Sequence, residues 1–274
     1  MALFTVDEEK CGLCQVCVAA CPAGLVEVCE GAVVPTPVDG ADENCFNCGH
    51  CVAACPNEAF SHKNATPDQC LPIREELRIT AEQIGQLMRS RRSVRNFTDE
   101  QVARETITEL LDVARYAPSG CNAQPVHWLV IHDTDQVQQM SAMVVDGLRH
   151  IIQTDSASPI RDILECLVGA WDEGANVVSR GAPHLIVAHA PQADPSAVAA
   201  CTIAQTYLEV AASAFGLGAC WMGLVDMTAN TWAPLRDFLA LPQGHVVLGT
   251  IAIGHPEFQY ARIPPRNALR VEWR

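Results

Sequence analysis

Two stretches near the start of the chain share one cysteine pattern: residues 11–22 read CGLCQVCVAACP and residues 45–56 read CFNCGHCVAACP. Both follow C-x2-C-x2-C-x3-C-P, the bacterial ligand spacing for [4Fe-4S] clusters, in which the fourth cysteine of each run ligates the other run's cluster. The pattern therefore predicts two clusters, one held by Cys11, Cys14, Cys17 and Cys55 and the other by Cys45, Cys48, Cys51 and Cys21.

Zinc and disulfide bonds are the alternatives for so many cysteines. Structural zinc sites usually pair two C-x2-C knuckles across a long gap, whereas here three cysteines at every third position surround one compact group. Disulfide frameworks are typical of secreted chains. Residues 1–10, MALFTVDEEK, lack the basic start and apolar core of a signal peptide. We therefore favour clusters over zinc, and we expect reduced thiols and a cytoplasmic location.

The 274-residue chain is acidic, with a formal net charge of -14. Residues 1–63 hold nine acids against Lys10 and Lys63, which gives -7 for less than a quarter of the chain. Such a charge argues against binding nucleic acid through a general basic field. The apolar stretches are shorter than the roughly 20 residues that cross a membrane. We expect neither nucleic acid nor membrane as a partner; the acidity serves either solubility or the docking of a basic-faced electron carrier.

The chain divides into three regions. Residues 1–63 resemble the two-cluster bacterial ferredoxins, and residues 64–79, which include Pro67 and Pro72, are predicted to be a linker. Residues 80–274 alternate between helical and strand periodicity, which indicates a three-layer α/β or α+β core. We predict helices that start at Thr80 and that span 99–117, 136–149 and 194–215, and strands over 127–132, 184–190, 217–222 and 245–253.

Three segments of the long region carry side chains suited to a ligand. Arg89, Arg91, Arg92 and Arg95 lie within seven residues without an interleaved acid. Guanidinium groups at this density suit a phosphate, although a solvated charged face is the plainer interpretation.

Residues 118–125, PSGCNAQP, place hydroxyl and amide groups in a turn, where they could address the edge of a heteroaromatic ring or simply cap a helix-to-strand loop. Residues 216–223, GLGACWMG, combine small residues with a tryptophan, so either a flat ligand approaches the strand or the glycines mark a bulge.

Taken in order, these segments resemble the nitroreductase-like FMN enzymes over about residues 80–274. The family pattern R-R-S-x-R-x-F corresponds to residues 91–97, P-S-x-x-N-x-Q-P to residues 118–125, and a late basic residue in a proline-containing tail to Arg262. The resemblance implies an α+β chain with a ferredoxin-type domain at 1–63, a linker at 64–79 and a three-layer α/β/α FMN domain at 80–274. It also implies a homodimer with FMN at the subunit interface.

The resemblance also implies which residues bind FMN. Its phosphate, ribityl and ring carbonyl groups would be bound by Arg91, Arg92, Ser93, Arg95 and Arg262. The loop that begins at Pro118 would send Ser119, Asn122 and Gln124 to FMN from the partner subunit, and Trp221, Met222 and Gly223 would pack along the isoalloxazine ring. No side chain is assigned as catalytic, because FMN itself carries the reaction.

Joining both halves predicts an iron-sulfur flavoprotein oxidoreductase. Single electrons from an external donor such as a ferredoxin would pass through two clusters to FMN, which would reduce a flat, electron-poor nitroaromatic, quinone or activated C=C compound. The alternatives are a non-enzymatic electron-transfer or redox-sensing module and a flavin-consuming or dehalogenating branch of the superfamily. Residues 140–181 are either the family's substrate lid or an ordinary packed segment. His50 either tunes its cluster through a hydrogen bond or faces water.

Overall fold

The structure is a computed structural model that describes residues 2–155 and 157–274. Its contacts divide the chain into two units, residues 1–78 with 121–123, and residues 79–120 with 124–274. The stretch expected to be a linker contains two single-turn 3-10 helices, Pro67–Gln69 and Glu75–Leu77. The domain limits 1–63, 64–79 and 80–274 stay predictions.

The first unit is small and built from short elements. In chain order they are β1 (Phe4–Val6), α1 (Val16–Ala20), β2 (Val26–Glu27), β3 (Thr36–Pro37), α2 (Ala41–Asn44), α3 (His50–Ala53) and β4 (Phe60–His62). Strand β1 pairs antiparallel with β4, and β2 pairs antiparallel with β3. Phe4 and Phe60 are buried in its core, with ring centroids 4.4 Å apart, and several cysteines pack against this core.

The second unit contains seven helices and four strands among its described residues. They are α4 (Ala81–Ser90), α5 (Arg104–Ala114), β5 (His127–Ile131), α6 (Thr134–Thr154), α7 (Arg161–Asp172), β6 (His184–Pro191), α8 (Ala197–Ala212), β7 (Gly218–Trp221), α9 (Gly223–Thr231), α10 (Ala233–Leu239) and β8 (His245–Gly254).

The four strands form one antiparallel sheet in the order β5-β6-β8-β7. Side chains alternate between its faces, as a strand requires. Leu185 and Val187 of β6 pack in the core formed with α6, α7, α9 and α10, whereas Ile186 packs in the core formed with α5 and α8. The predicted three-layer arrangement is therefore confirmed.

Helix α4 begins where its local sequence predicts. The Thr80 hydroxyl accepts a hydrogen bond from the Gln83 amide at 3.2 Å, and the Gln83 side chain accepts one from the Thr80 amide at 2.8 Å. This reciprocal pair satisfies two amide groups that a helix start leaves without partners.

The predicted start of the next helix at residue 99 is wrong, because α5 begins at Arg104. The amide of Val102 donates to Nε2 of His184 at 2.9 Å, and its carbonyl oxygen accepts from Nε2 of His132 at 2.8 Å. In a helix that began at residue 99, the Val102 carbonyl oxygen would accept from the amide four residues further on, and His132 engages that oxygen instead.

Helix α8 continues into a 3-10 turn and is the one described helix long and apolar enough, over Ala197–Phe215, to cross a membrane by length and composition. Its contacts are those of a core helix, since it packs on β6, β7, β8 and α5. One face is buried, and Val198 and Tyr207 are exposed on its two flanks.

Residues 140–181 form most of α6 and all of α7. Leu148, Leu164 and Val178 are buried in the core beside the sheet, as a packed segment requires. Ser156, which belongs to this range, lies outside the described residues.

Candidate functional site

The first unit encloses two cavities, each lined by four cysteines from both runs. Cys11, Cys14, Cys17 and Cys55 line one cavity, and Cys21, Cys45, Cys48 and Cys51 line the other. These are the same two sets that the sequence predicts as cluster ligands. The role of each cysteine as a ligand stays a prediction.

Backbone conformation explains how each run curls around its cavity. Leu13 and Asn47, which occupy equivalent positions in the two runs, have φ values of 49° and 52°. Gln15 and Gly49, two residues further on, have φ values of 60° and 71°. Left-handed backbone is uncommon for residues other than glycine and often marks functional sites. Its repetition in both runs indicates that the turns serve the cavities.

The cysteine sulfurs already receive hydrogen bonds from the backbone. The amide of Leu25 donates to Sγ of Cys21 at 3.3 Å, and the amide of Ala59 donates to Sγ of Cys55 at the same distance. A further amide, that of Asn47, donates to Cys45 at 3.4 Å. Such bonds stabilise thiolates, which are the forms that bind iron.

Burial works against ionising these thiols without iron. It raises the pKa of Cys51 to about 11 and raises the pKa of Cys17 as well. Metal binding must therefore displace protons from these groups. Over residues 2–155 and 157–274, no three His, Cys, Asp or Glu side chains converge as for a single metal ion. A cluster of four irons and four sulfides is larger than one metal ion, so its ligands surround a cavity and do not converge on one point. Each quartet of thiols lines such a cavity.

His62 also lines the second cavity and was not singled out by the sequence. Its Nε2 lies 3.5 Å from Sγ of Cys45, and the ring is buried. Burial holds its pKa below the usual value, and the charge of Lys63 acts in the same direction. His50, the histidine that the sequence analysis considers, also lines this cavity but is exposed.

In the second unit, the arginine-rich segment lies beside strand β7. Ser93 forms a parallel bridge with Ala219, and the Val94 amide donates to the Ala219 carbonyl oxygen at 3.0 Å. Gly218 allows this approach, because a Cβ there would lie 2.8 Å from the Val94 side chain. The fold thus brings together two of the three predicted segments, residues 91–95 and 218–223.

One buried carboxylate joins these two segments. Glu209 of α8 accepts from Nη1 of Arg91 at 2.5 Å and from Nε1 of Trp221 at 3.0 Å. Among the described residues, Arg92 and Arg95 form no ion pair, so their charges remain available to an anion. Glu209 was not singled out, although it is the one acid in a helix that is otherwise almost entirely uncharged.

The Pro118 loop has a strained backbone, with φ values of 49°, 55° and 47° at Cys121, Asn122 and Gln124. Ser119 Oγ accepts from the Gln124 amide at 2.9 Å. Within the first unit, to which residues 121–123 belong, the Asn122 amide group donates to the main-chain oxygen of Asn47 at 3.1 Å.

The remaining predicted contacts differ in exposure. Met222 is buried beside the partly exposed Trp221, whereas Gly223 is exposed. Arg262 lies in an exposed tail, where no ion pair to it occurs within the part of the chain that the structure describes. All predicted FMN contacts stay predictions.

Comparison with known proteins agrees with this arrangement. The Nitroreductase family matches residues 88–255, and a 4Fe-4S dicluster domain matches residues 4–56. A protein of Archaeoglobus fulgidus, provisionally named an NADH dehydrogenase/NAD(P)H nitroreductase, is 26% identical over 206 residues, which cover 70% of this chain and 99% of the relative.

Two solved structures have a similar fold. An FMN-dependent nitroreductase from Clostridium difficile R20291 is 27% identical with a TM-score of 0.53, and the match covers 70% of this chain and 100% of that one. A nitroreductase with bound FMN from Bacteroides fragilis is 19% identical with a TM-score of 0.57, and the match covers 69% of this chain and 99% of that one.

The family match spans more than half of the chain, which therefore belongs to the nitroreductase family. It carries an N-terminal 4Fe-4S dicluster domain before the nitroreductase domain. The predicted combination of a ferredoxin-type domain with a nitroreductase-like domain is confirmed.

Proposed function

We propose that this FMN-dependent oxidoreductase receives single electrons through two [4Fe-4S] clusters and reduces a flat, electron-poor small molecule. The substrate would be a nitroaromatic, a quinone or an activated C=C compound. The observation that carries the proposal is the grouping of eight cysteines into two quartets, each around one cavity. Two clusters at these positions would supply electrons to the enzyme one at a time.

The second unit supplies side chains that fit FMN. Arg92 and Arg95 would bind the phosphate and ring oxygens, with Arg91, Ser93 and Arg262 beside them. Trp221, Met222 and Gly223 would pack on the ring. The fit rests on the close approach of residues 91–95 to β7, where Gly218 leaves room for Val94.

When bound, FMN stores one or two electrons and delivers a hydride equivalent, whereas each cluster carries a single electron. The contribution of the chain is binding, orientation and charge. Guanidinium groups near the ring would stabilise negative charge that develops during reduction. A buried Met222 beneath the site would exclude water from one side.

The electron donor would be a reduced one-electron carrier with a basic docking face, because residues 1–63 carry half of the net negative charge. Charge complementarity of this kind speeds association between proteins. Reduced thiols at eight predicted ligand positions suit a cytoplasmic location.

We also propose a homodimer. Helix α8 exposes Val198 and Tyr207, with relative exposures of 65% and 43%, on the two flanks of its buried alanine face. In the dimer, Pro118, Ser119, Asn122 and Gln124 would complete the FMN site of the partner. Sedimentation equilibrium should give twice the chain mass; a monomer that binds FMN fully would contradict this part.

The electron route is tested with the anaerobically purified chain, reduced ferredoxin as donor, and a nitroaromatic, a quinone and an enone as acceptors. We expect turnover with ferredoxin and little with NADH or NADPH. Robust NAD(P)H turnover without a carrier would contradict the route. If no acceptor is reduced while electrons exchange rapidly with a protein partner, the non-enzymatic module is favoured. Release of halide or loss of flavin would instead identify the dehalogenating or flavin-consuming branch.

Two cysteine variants provide a matched comparison, since Cys14 and Cys29 are both exposed but only Cys14 has ligand spacing. Cys14→Ser should abolish ferredoxin-driven turnover, whereas Cys29→Ser should retain it. Substrate reduction after photochemical reduction of the flavin should be equal in both variants, because the second unit is unchanged.

A further inference from the structure

The hydrogen bonds around His62 define which ring nitrogen carries the proton. The Asn64 amide donates to Nδ1 of His62 at 3.1 Å, so Nδ1 acts as an acceptor. A neutral imidazole with an accepting Nδ1 carries its proton on Nε2. That nitrogen lies 3.5 Å from Sγ of Cys45, within the range for a hydrogen bond to sulfur. His62 therefore donates to Cys45.

The first cysteine run has no counterpart to this donor. Cys45 follows Cys11 by 34 residues, and the same interval places Val28 at the position equivalent to His62. A valine side chain cannot donate a hydrogen bond. The duplicated sequence thus places a histidine donor at only one of its two cavities.

The backbone amides increase this difference. Within residues 2–155 and 157–274, the sulfurs of the Cys21, Cys45, Cys48 and Cys51 quartet accept three N–H bonds, from Leu25, Asn47 and His62. The other quartet accepts one such bond, from Ala59 to Cys55. The amides of Val18 and Val52 act alike on Cys17 and Cys51, one in each quartet, and leave this difference unchanged. The two cavities therefore differ in electrostatics although their cysteine spacing is identical.

Reduction adds one negative charge to a cluster and its thiolates, and an N–H donor stabilises that charge more in the reduced state than in the oxidised state. Hydrogen bonds to sulfur are among the features that set cluster potentials. We infer that His62 is a positioning residue that raises the potential of the cluster held by Cys21, Cys45, Cys48 and Cys51 above that of its neighbour. This inference rests on the cluster ligation proposed above.

The consequence is a defined order of reduction. The first electron that enters the chain should reside on the His62 side, and the cluster held by Cys11, Cys14, Cys17 and Cys55 should be reduced only at lower potential. Two clusters with equal environments would share the first electron. The side chain of His62 thus makes the two carriers inequivalent.

The experiment is a potentiometric titration of the anaerobic holoprotein at one fixed pH, followed by electron paramagnetic resonance. His62→Val removes the donor, and we expect the reduction equilibrium constant of one cluster to fall about tenfold, which is ~59 mV for a one-electron couple. The other cluster should not shift. His62→Gln retains an N–H donor and should restore most of the difference, whereas His150→Gln, a change at an exposed histidine of the second unit, should leave both potentials unchanged.

Iron analysis separates this inference from the proposed function. Wild-type protein should contain about eight irons per chain, and a much lower content would contradict the clusters themselves. With full iron content, unchanged potentials in His62→Val, or equal shifts of both clusters, would overturn the role of His62. If His62→Val loses iron, electron-nuclear double resonance on protein with isotopically labelled histidine decides. A histidine coupling that disappears in His62→Gln supports the bond, and no coupling in the wild type overturns it.

Discussion

Arg91 and Glu209 form an ion pair with 2.5 Å between Nη1 and Oε1, although 118 residues separate them in the chain. Glu209 is buried, and its second oxygen accepts from Trp221. A carboxylate in this position would be costly without partners. The pair therefore fixes the start of the arginine-rich segment against α8 before any anion binds.

A double-mutant cycle should detect strong coupling in this pair. In the flavin-free chain, Arg91→Met and Glu209→Gln should show a coupling of about 1–3 kcal/mol in the free energy of unfolding, because each change leaves a shielded partner unpaired. Tryptophan fluorescence is a suitable readout, since all five tryptophans lie between residues 128 and 273. Arg115 and Asp112 form an exposed pair at the C-terminal end of α5 and should show almost no coupling. Equal coupling in both pairs would contradict the burial argument.

A second prediction concerns Gly249, where strand β8 passes a bulge in its pairing with β6. Its φ is 147°, and an added Cβ would collide with the side-chain amide of Gln205. That buried amide donates to the carbonyl oxygens of Cys201 and Leu248. Gly249→Ala should therefore lower the free energy of unfolding by about 2–4 kcal/mol through backbone strain and displacement of this amide.

Gly169 provides the matched control for this substitution. It lies within α7, and a Cβ there would meet nothing within 4 Å. Gly169→Ala should raise stability by about 0.5–1 kcal/mol, because alanine is the better helix former. Urea unfolding followed by tryptophan fluorescence compares the two. If both substitutions had the same effect, the clash at Gly249 would not exist.

Local sequence predicted those parts of the fold that local chemistry determines. The Thr80 capping pair lies within four residues and defined the start of α4 correctly. The start of α5 was predicted too early, because the Val102 carbonyl oxygen bonds to His132, which is 30 residues away. Hydrophobic periodicity predicts which residues can form a helix. Hydrogen bonds to residues distant in the sequence determine where that helix begins or ends.

The same distinction applies to the candidate sites. Cysteine spacing is a local signal, and it predicted the two quartets that line the cavities. His62 and Glu209 act on groups 17 and 118 residues away, so no local motif marks them. Of these two residues, Glu209 was the easier to recognise from the sequence, because it is an acid within an apolar helix. His62 became recognisable only after β4 placed it beside Cys45.

Asp226 should make stability depend on pH. Burial raises the pKa of its carboxyl group to about 6, and the Thr250 hydroxyl, which donates to it at 2.7 Å, only partly offsets this effect. Between the ordinary pKa of aspartate and this value, the folded state binds more protons than the unfolded state. Stability should therefore fall as the pH rises from about 4 to about 6.

The variant Asp226→Asn removes this titration and still accepts from Thr250. Relative to the wild type, it should gain stability with rising pH, by up to about 3 kcal/mol above pH 6. Asp99→Asn, at an exposed position, should change little across the same range. Urea unfolding at several pH values measures the difference, and a gap between wild type and Asp226→Asn that does not vary with pH would be the contrary result.

Removal of iron should unfold the first unit and leave the second folded. The first unit has a small core, built around Phe4, Val52 and Phe60, and its cysteines pack against that core. A single core in a domain of this size supplies limited stability, and small domains often add a metal or another cross-link. After anaerobic chelation, amide hydrogen exchange should accelerate across residues 2–70, while β6 and β8 remain protected by their own sheet. Unchanged protection of β1 and β4 after complete loss of iron would mean that the first unit folds without its clusters.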